Sequence, residues 1–156
     1  MKLVVQEMSV RAPAHLVYAM LTDPTLFVQW MAVDATLDPR PGGIVRWTHA
    51  NGDTCAGRYV ELVPGRRVVL TYGWERADVE IPPRSTTVEI ELTPTANGVT
   101  TLRLVHSGFD DPAADAHLIG WAHYLGRLQS LVHGTPPGGD RMSTERVPTP
   151  AELGRR

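Results

Sequence analysis

Cysteine is all but missing: Cys55 is the only one in 156 residues, so there is no intrachain disulfide framework and no cysteine-based zinc finger. Neither sign of charge is in excess. Fifteen Lys+Arg stand against 17 Asp+Glu, a formal charge of −2, with a pI near 6.3. A duplex-DNA binder or a polybasic membrane binder would need a concentrated basic surface, so neither nucleic acid nor membrane is expected as a partner. No apolar run approaches the roughly 20 residues of a membrane span, and the opening MKLVVQEMSVRA contains no long apolar run. The expectation is a soluble, cytoplasmic chain, long enough for one compact domain but not comfortably two.

Several chemistries are missing as well. Pro41-Gly42-Gly43 precedes a strand rather than a helix N-terminus, so it lacks the dipole and amide cradle that hold a phosphate. Ser107 beside His106 has no legible third partner for a triad. His117 and His123 lie six residues apart, which is not one helical face, and neither has a third ligand at a motif distance. Asp110, Asp111 and Asp115 read as helix-start acids that complement the helix dipole. No metal and no cofactor are expected. Cys55, with no base at motif spacing, reads as a small buried thiol.

What is present is an ordinary globular mix, 42% hydrophobic and 21% charged, with ten aromatics: four Trp, four Tyr and two Phe. Residues 3–10 read as a strand with Val4, Met8 and Val10 on one face. Pro13 then opens a short helix with Leu16, Val17, Met20 and Leu21 at helical spacing. Thr22-Asp23-Pro24 stops it and starts a second short helix carrying Leu26, Phe27, Trp30 and Met31. After Asp38 the texture is of strands: Ile44–His49, Thr54–Val63, Arg67–Trp74, Thr86–Thr93 and Val99–Ser107. Turns at Ala50-Asn51-Gly52-Asp53, Pro64-Gly65 and Ala96-Asn97-Gly98 separate them, with a longer polar loop over 75–84. A last helix, Pro112 to His133, carries the stripe Leu118, Trp121, Leu125, Leu128 and Val132. Residues 134–156, with four Pro and four Gly, read as an irregular tail after a domain spanning 1–133.

Periodicity alone gives α+β with a late helix. The order of elements (strand, helix pair, antiparallel sheet, long helix) suggests a helix-grip fold, a curved antiparallel sheet wrapped around the C-terminal helix. The run 10–24, VRAPAHLVYAMLTDP, resembles the opening of the START/Bet v 1-like (SRPBCC) superfamily. Trp30, Pro41-Gly42-Gly43, Trp47, GRYVELVP over 57–64, RVVLTYGW over 67–74, TTLRLVHSGF over 100–109, and Gly120-Trp121 with Leu125 and Leu128 resemble its AHSA1-type branch. That branch takes its name from the activator of the Hsp90 ATPase. The resemblance covers roughly residues 3–133 and implies the helix-grip fold with a cavity between sheet and helix. It implies function only loosely, since one fold hosts many chemistries. Relatives include small-molecule binders, polyketide cyclases and the chaperone activator, whose eukaryotic form has a further domain that this chain has no room for.

If the sheet grips the helix, residues that alternate with clear core positions point inward. These are Val68, Leu70, Tyr72 and Trp74 on one strand, Leu102, Leu104 and His106 on another, and Val45, Trp47 and His49 on a third. The helix adds Trp121, with His117 or Tyr124 on its flank. The expected ligand wall is therefore Trp47, His49, Tyr72, Trp74, Leu104, His106, His117 and Trp121, an aromatic pocket with a few polar tips. Core filling is the competing account of the tryptophans, and a satisfied structural histidine that of His106.

Three functions follow as expectations. The first is a protein that binds a small apolar or aromatic molecule, with a homodimer also allowed. The second is a cyclase/dehydratase-like enzyme with His106 as general acid or base, helped by Tyr72 or His49. The third is a protein-interaction module that docks through the sheet surface or the tail.

Overall fold

A computed structural model of the chain describes residues 2–140. Of the tail expected over 134–156, residues 134–140 are described; the remainder lies outside the described residues. The elements run β1 (Val4–Val10), α1 (Ala14–Thr22), α2 (Pro24–Phe27), β2 (Asp34–Leu37), β3 (Ile44–Thr48), β4 (Thr54–Val63), β5 (Arg67–Tyr72), β6 (Thr86–Pro94), β7 (Thr100–Ser107) and α3 (Asp111–Val132). The seven strands form one antiparallel sheet in the order β1-β7-β6-β5-β4-β3-β2. The sheet curves around α3, giving the α+β helix-grip arrangement.

Each strand carries its apolar residues at period two, and that period decides which face is covered. Along β7, Thr100, Leu102, Leu104 and His106 are buried, whereas Thr101, Arg103, Val105 and Ser107 are more exposed. β6 pairs Val88 with His106, Ile90 with Leu104 and Leu92 with Leu102, so the two buried rows lie side by side. A register shift between Tyr59 and Glu61 in β4 adds bend to the sheet where it turns over the helix.

The helix pair is punctuated as the sequence implies. Asp23 closes α1, its backbone N–H reaching the Ala19 carbonyl, and its side chain accepts from the Thr25 N–H at 2.9 Å to cap α2. The second helix is shorter than its apolar run suggests: it ends at Phe27, and the chain continues in turns to Met31. Trp30 is still fixed there, because its indole N–H donates to the Met20 carbonyl at 2.9 Å.

Two differences from the sequence pattern bear on the site. Strand β2 precedes Asp38, where strand texture begins in the sequence; its four residues bury only Leu37, too short a pattern to register. On α3, the buried stripe runs through Ala113, Ala114, His117, Trp121, Tyr124, Leu125 and Leu128, while Leu118 is 41% exposed. The helix is rolled toward its His117–Tyr124 flank, which brings polar side chains to the sheet. Asp110 caps its start, accepting from the Ala113 N–H at 2.9 Å, with Pro112 in the first turn.

The polar 75–84 segment is a loop as expected, but it is anchored. Val79 and Ile81 are buried, and the Trp74 N–H donates to the Ile81 carbonyl at 2.7 Å. Arg76 clips the loop to the β3–β4 turn through Asp53 at 3.1 Å and to Asp78 at 2.7 Å. Gly73 is required where this loop crosses β5, because a Cβ there would lie 1.8 Å from the Pro82 carbonyl oxygen.

Candidate ligand chamber between the sheet and the C-terminal helix

Beneath α3 the inward rows of β3, β4 and β5 leave a chamber. Trp47 comes from β3 with His49 just beyond its end, Cys55 from β4, and Tyr72 from β5 with Trp74 just beyond its end. The helix closes it with His117, Trp121 and Tyr124, and with two small residues, Ala116 and Gly120. Met31, at the end of the turns after α2, completes the wall. The cavity volume is about 40 Å³, room for a few waters and well short of the roughly 300 Å³ at which drug-sized sites begin.

The polar atoms of this wall are bonded to one another. Three indole N–H groups each donate to an imidazole nitrogen: Trp121 Nε1 to His106 Nδ1 at 2.9 Å, Trp74 Nε1 to His117 Nε2 at 3.0 Å, and Trp47 Nε1 to His49 Nε2 at 3.3 Å. An imidazole nitrogen that accepts carries no proton, so each bond assigns a tautomer. His117 then holds its proton on Nδ1 and donates to the Ala113 carbonyl at 2.7 Å, one helical turn back. His106 holds its proton on Nε2 and donates to Thr86 Oγ1 at 2.8 Å, and Thr86 passes its own hydroxyl proton to the Tyr72 carbonyl at 2.7 Å.

His49 continues outward. Tyr124 donates its hydroxyl to Asp140 Oδ2 at 2.8 Å, which leaves the phenol oxygen to accept from His49 Nδ1 at 3.1 Å. Asp140 Oδ1 also meets His123 Nε2 at 2.7 Å. A chain of bonds thus runs from Trp47 through His49 and Tyr124 to a carboxylate in the segment after α3.

Burial holds the two wall imidazoles, His49 and His117, and His106 behind them neutral. It pushes His117 down to about 4 and His106 well below the usual histidine range, with His117 adding to the effect on His106. Burial also lowers His49, opposed by the nearby carboxylates of Asp140 and Asp53. The Tyr72 phenol and the Cys55 thiol are hydrogen-bonded to each other, and burial raises both above their ordinary ranges, so the thiol stays protonated and unreactive. Among the described residues, no buried side-chain nitrogen or oxygen lacks a partner, and no three His, Cys, Asp or Glu side chains converge to hold a metal.

Six of the eight residues expected on the wall line the chamber: Trp47, His49, Tyr72, Trp74, His117 and Trp121. Leu104 and His106 do not; both are fully buried one layer behind, where the His106 ring packs edge-on against Tyr72 at 4.5 Å and lies tilted against Phe109 at 4.2 Å. Alternation correctly gave their face of the sheet, but not that larger neighbours stand between them and the cavity. Met31, Ala116 and Gly120 were not anticipated. Small residues at positions 116 and 120, four apart on one helix, were the signal that could have found the last two.

Residues 11–133 match the family described as activator of Hsp90 ATPase homolog 1-like protein. The chain belongs to that family. An AHSA1-like protein from Rhizobium etli, solved by NMR, is 38% identical, with 94% of this chain and 91% of that one covered at a TM-score of 0.70. DynU16, described as a putative protein in the dynemicin biosynthetic locus, is 25% identical over 88% of this chain but only 49% of its own, with a TM-score of 0.74. The Aha1 dimer from Colwellia psychrerythraea shares the fold at 19% identity, covering 89% of this chain and 100% of that chain, with a TM-score of 0.74. No curated protein matches the chain. In this AHSA1-like chain, no described helix is long and apolar enough to cross a membrane. The family match ends at His133, so Asp140, which anchors Tyr124, lies beyond it.

Proposed function

We propose that the chamber binds a small apolar or aromatic molecule, with the faces of Trp47, Tyr72, Trp74 and Trp121 as its contact surfaces. The observation that supports this most is the closed hydrogen bonding of the wall. Every indole N–H and imidazole nitrogen on it is engaged within the protein, so a guest meets ring faces and edges rather than polar atoms in need of a partner. Such a wall favours apolar surface and disfavours a guest whose own polar groups would be stripped of water and left unpaired. Acid–base chemistry on His106 has less support, because both of its nitrogens are committed and the ring stands behind the wall.

Gly120 provides the test. Gly120 lines the chamber, and a Cβ built there meets nothing within 4 Å, so a larger side chain has open space to occupy. Gly120→Leu is expected to fill that space and abolish binding of an aromatic probe such as 4-phenylbutanol. Stability should be unchanged or higher by up to about 1 kcal/mol, because glycine is a poor residue in a helix interior. Calorimetric titration and thermal melts read the two effects separately. Unchanged probe affinity in Gly120→Leu would rule the chamber out as the binding site. Mass spectrometry of the denatured protein purified from its own host would then identify the natural guest.

A further inference from the structure

Next to the chamber, and sharing Met31 with it, lies an open cleft of about 330 Å³. Its walls are mostly apolar: Val28, Ala32 and Val33 from the turns after α2, and Ala50 from the β3–β4 turn. Val33 is 64% exposed, an apolar side chain left facing water. Arg127 of α3 crosses the cleft, and Gly138 to Asp140 form its far rim. The single side chain common to both spaces is an unbranched methionine, the residue type that repacks most readily.

Arg127 is bonded in an unusual way. Its Nε donates to the Trp30 carbonyl at 2.9 Å, and its Nη1 donates to the Gly138 carbonyl at 3.1 Å and the Pro137 carbonyl at 3.5 Å. All its partners are neutral backbone oxygens. Among the described residues no carboxylate lies within ion-pair distance of it, and its Nη2 makes no hydrogen bond. Asp140, the carboxylate on the same rim, is occupied by the Tyr124 hydroxyl and by His123. The cleft therefore presents a half-buried guanidinium with donors to spare beside apolar walls.

We infer that this cleft is the outer half of the ligand site and selects a carboxylate-bearing hydrophobic molecule, with the carboxylate on Arg127 and the apolar end passing Met31 into the chamber. This rests on the proposed binding function of the chamber. It also explains how so small a chamber serves a larger guest: most of the molecule lies in the cleft, and only its tip enters. A planar guanidinium with free N–H groups in an apolar setting favours a carboxylate over a neutral hydroxyl and repels an ammonium.

Three probes of one length separate the possibilities: 4-phenylbutyrate, 4-phenylbutanol and 4-phenylbutylamine, titrated calorimetrically with tryptophan fluorescence read in parallel. The carboxylate is expected to bind about tenfold tighter than the alcohol, and the amine more weakly than either. Arg127→Met, which keeps the apolar stem, should bring the carboxylate to the affinity of the alcohol and leave the alcohol unchanged. Arg127→Lys keeps the charge and should retain a preference for the carboxylate, which provides a reading even where the methionine variant folds poorly. Equal affinities for the three probes with altered tryptophan emission, or preference for the amine, would overturn the assignment to Arg127 while leaving the chamber as a binding site. Unchanged tryptophan emission with every probe would overturn the chamber reading and this inference together.

Discussion

Replacing His106 by leucine is expected to destabilise the protein by about 2–4 kcal/mol while leaving probe affinity per folded molecule within about threefold of the parent. Leucine is of similar bulk, so the loss comes from hydrogen bonding rather than from a void. The Trp121 indole N–H would lose its acceptor, and Thr86 Oγ1 would lose its donor, both in a region closed to water. A buried donor left without a partner costs its full desolvation penalty, more than the bond itself contributed. His106→Gln, whose amide has both an acceptor and a donor, should recover part of the stability. Chemical denaturation measures the first quantity and calorimetric titration the second. If His106 instead acted on the ligand, the leucine variant would lose binding or turnover well beyond its loss of folded protein, and glutamine would not restore it.

Acid is expected to unfold the protein in a window set by its buried histidines. The folded-state pKa of His117 lies at about 4, below its ordinary 6.5. The unfolded chain therefore binds a proton that the native state refuses between those values. Stability is then complete above pH 6.5 and falls as pH is lowered toward 4. For His117 alone this is worth about 3 kcal/mol by pH 4. His106 and His49 are displaced in the same direction by burial, so both add to the decline. The His117 share alone is a large part of the roughly 5–15 kcal/mol stability of an ordinary domain. Urea midpoints measured from pH 7.5 to 4.5 should decline steeply, and His117→Gln should flatten the decline by about one proton. A flat profile over that range would show that the three imidazoles are charged, or exposed, in the folded state.

The parts of the fold that follow from local pattern were legible in the sequence. Alternation along Leu102, Leu104 and His106 and along Val68, Leu70, Tyr72 and Trp74 assigns each residue to the covered face of its strand, because a one-residue error would turn the whole row outward. The turns at Gly52 and Gly98, both at positive φ, were legible for the same local reason. Strand β2 was not, since four residues with one buried side chain carry almost no period.

The site was legible only as a set of faces. Trp47 and His49 share a face two residues apart, so their contact is local. Trp74 and His117 are 43 residues apart, and Trp121 and His106 are 15 apart, with one member of each pair on the helix and the other beside or within the sheet. Nothing in the sequence joins an indole to an imidazole across that distance. The roll of α3 goes with those partnerships: Leu118, on the apolar stripe, is exposed, whereas His117 is buried and bonded to Trp74. The size of the cavity and the return of Asp140 onto Tyr124 also depend on packing between distant elements, and pattern analysis has no access to them.

The central claim is that an aromatic guest sits between the sheet and α3 against the tryptophan wall. Intermolecular nuclear Overhauser effects between 4-phenylbutanol and the protein test it most directly. The account predicts contacts from the probe's ring protons to the side chains of Met31, Tyr72, Trp74 and Trp121. Contacts confined to exposed side chains such as Leu3 and Val60, with none to the indoles of the chamber, would contradict it.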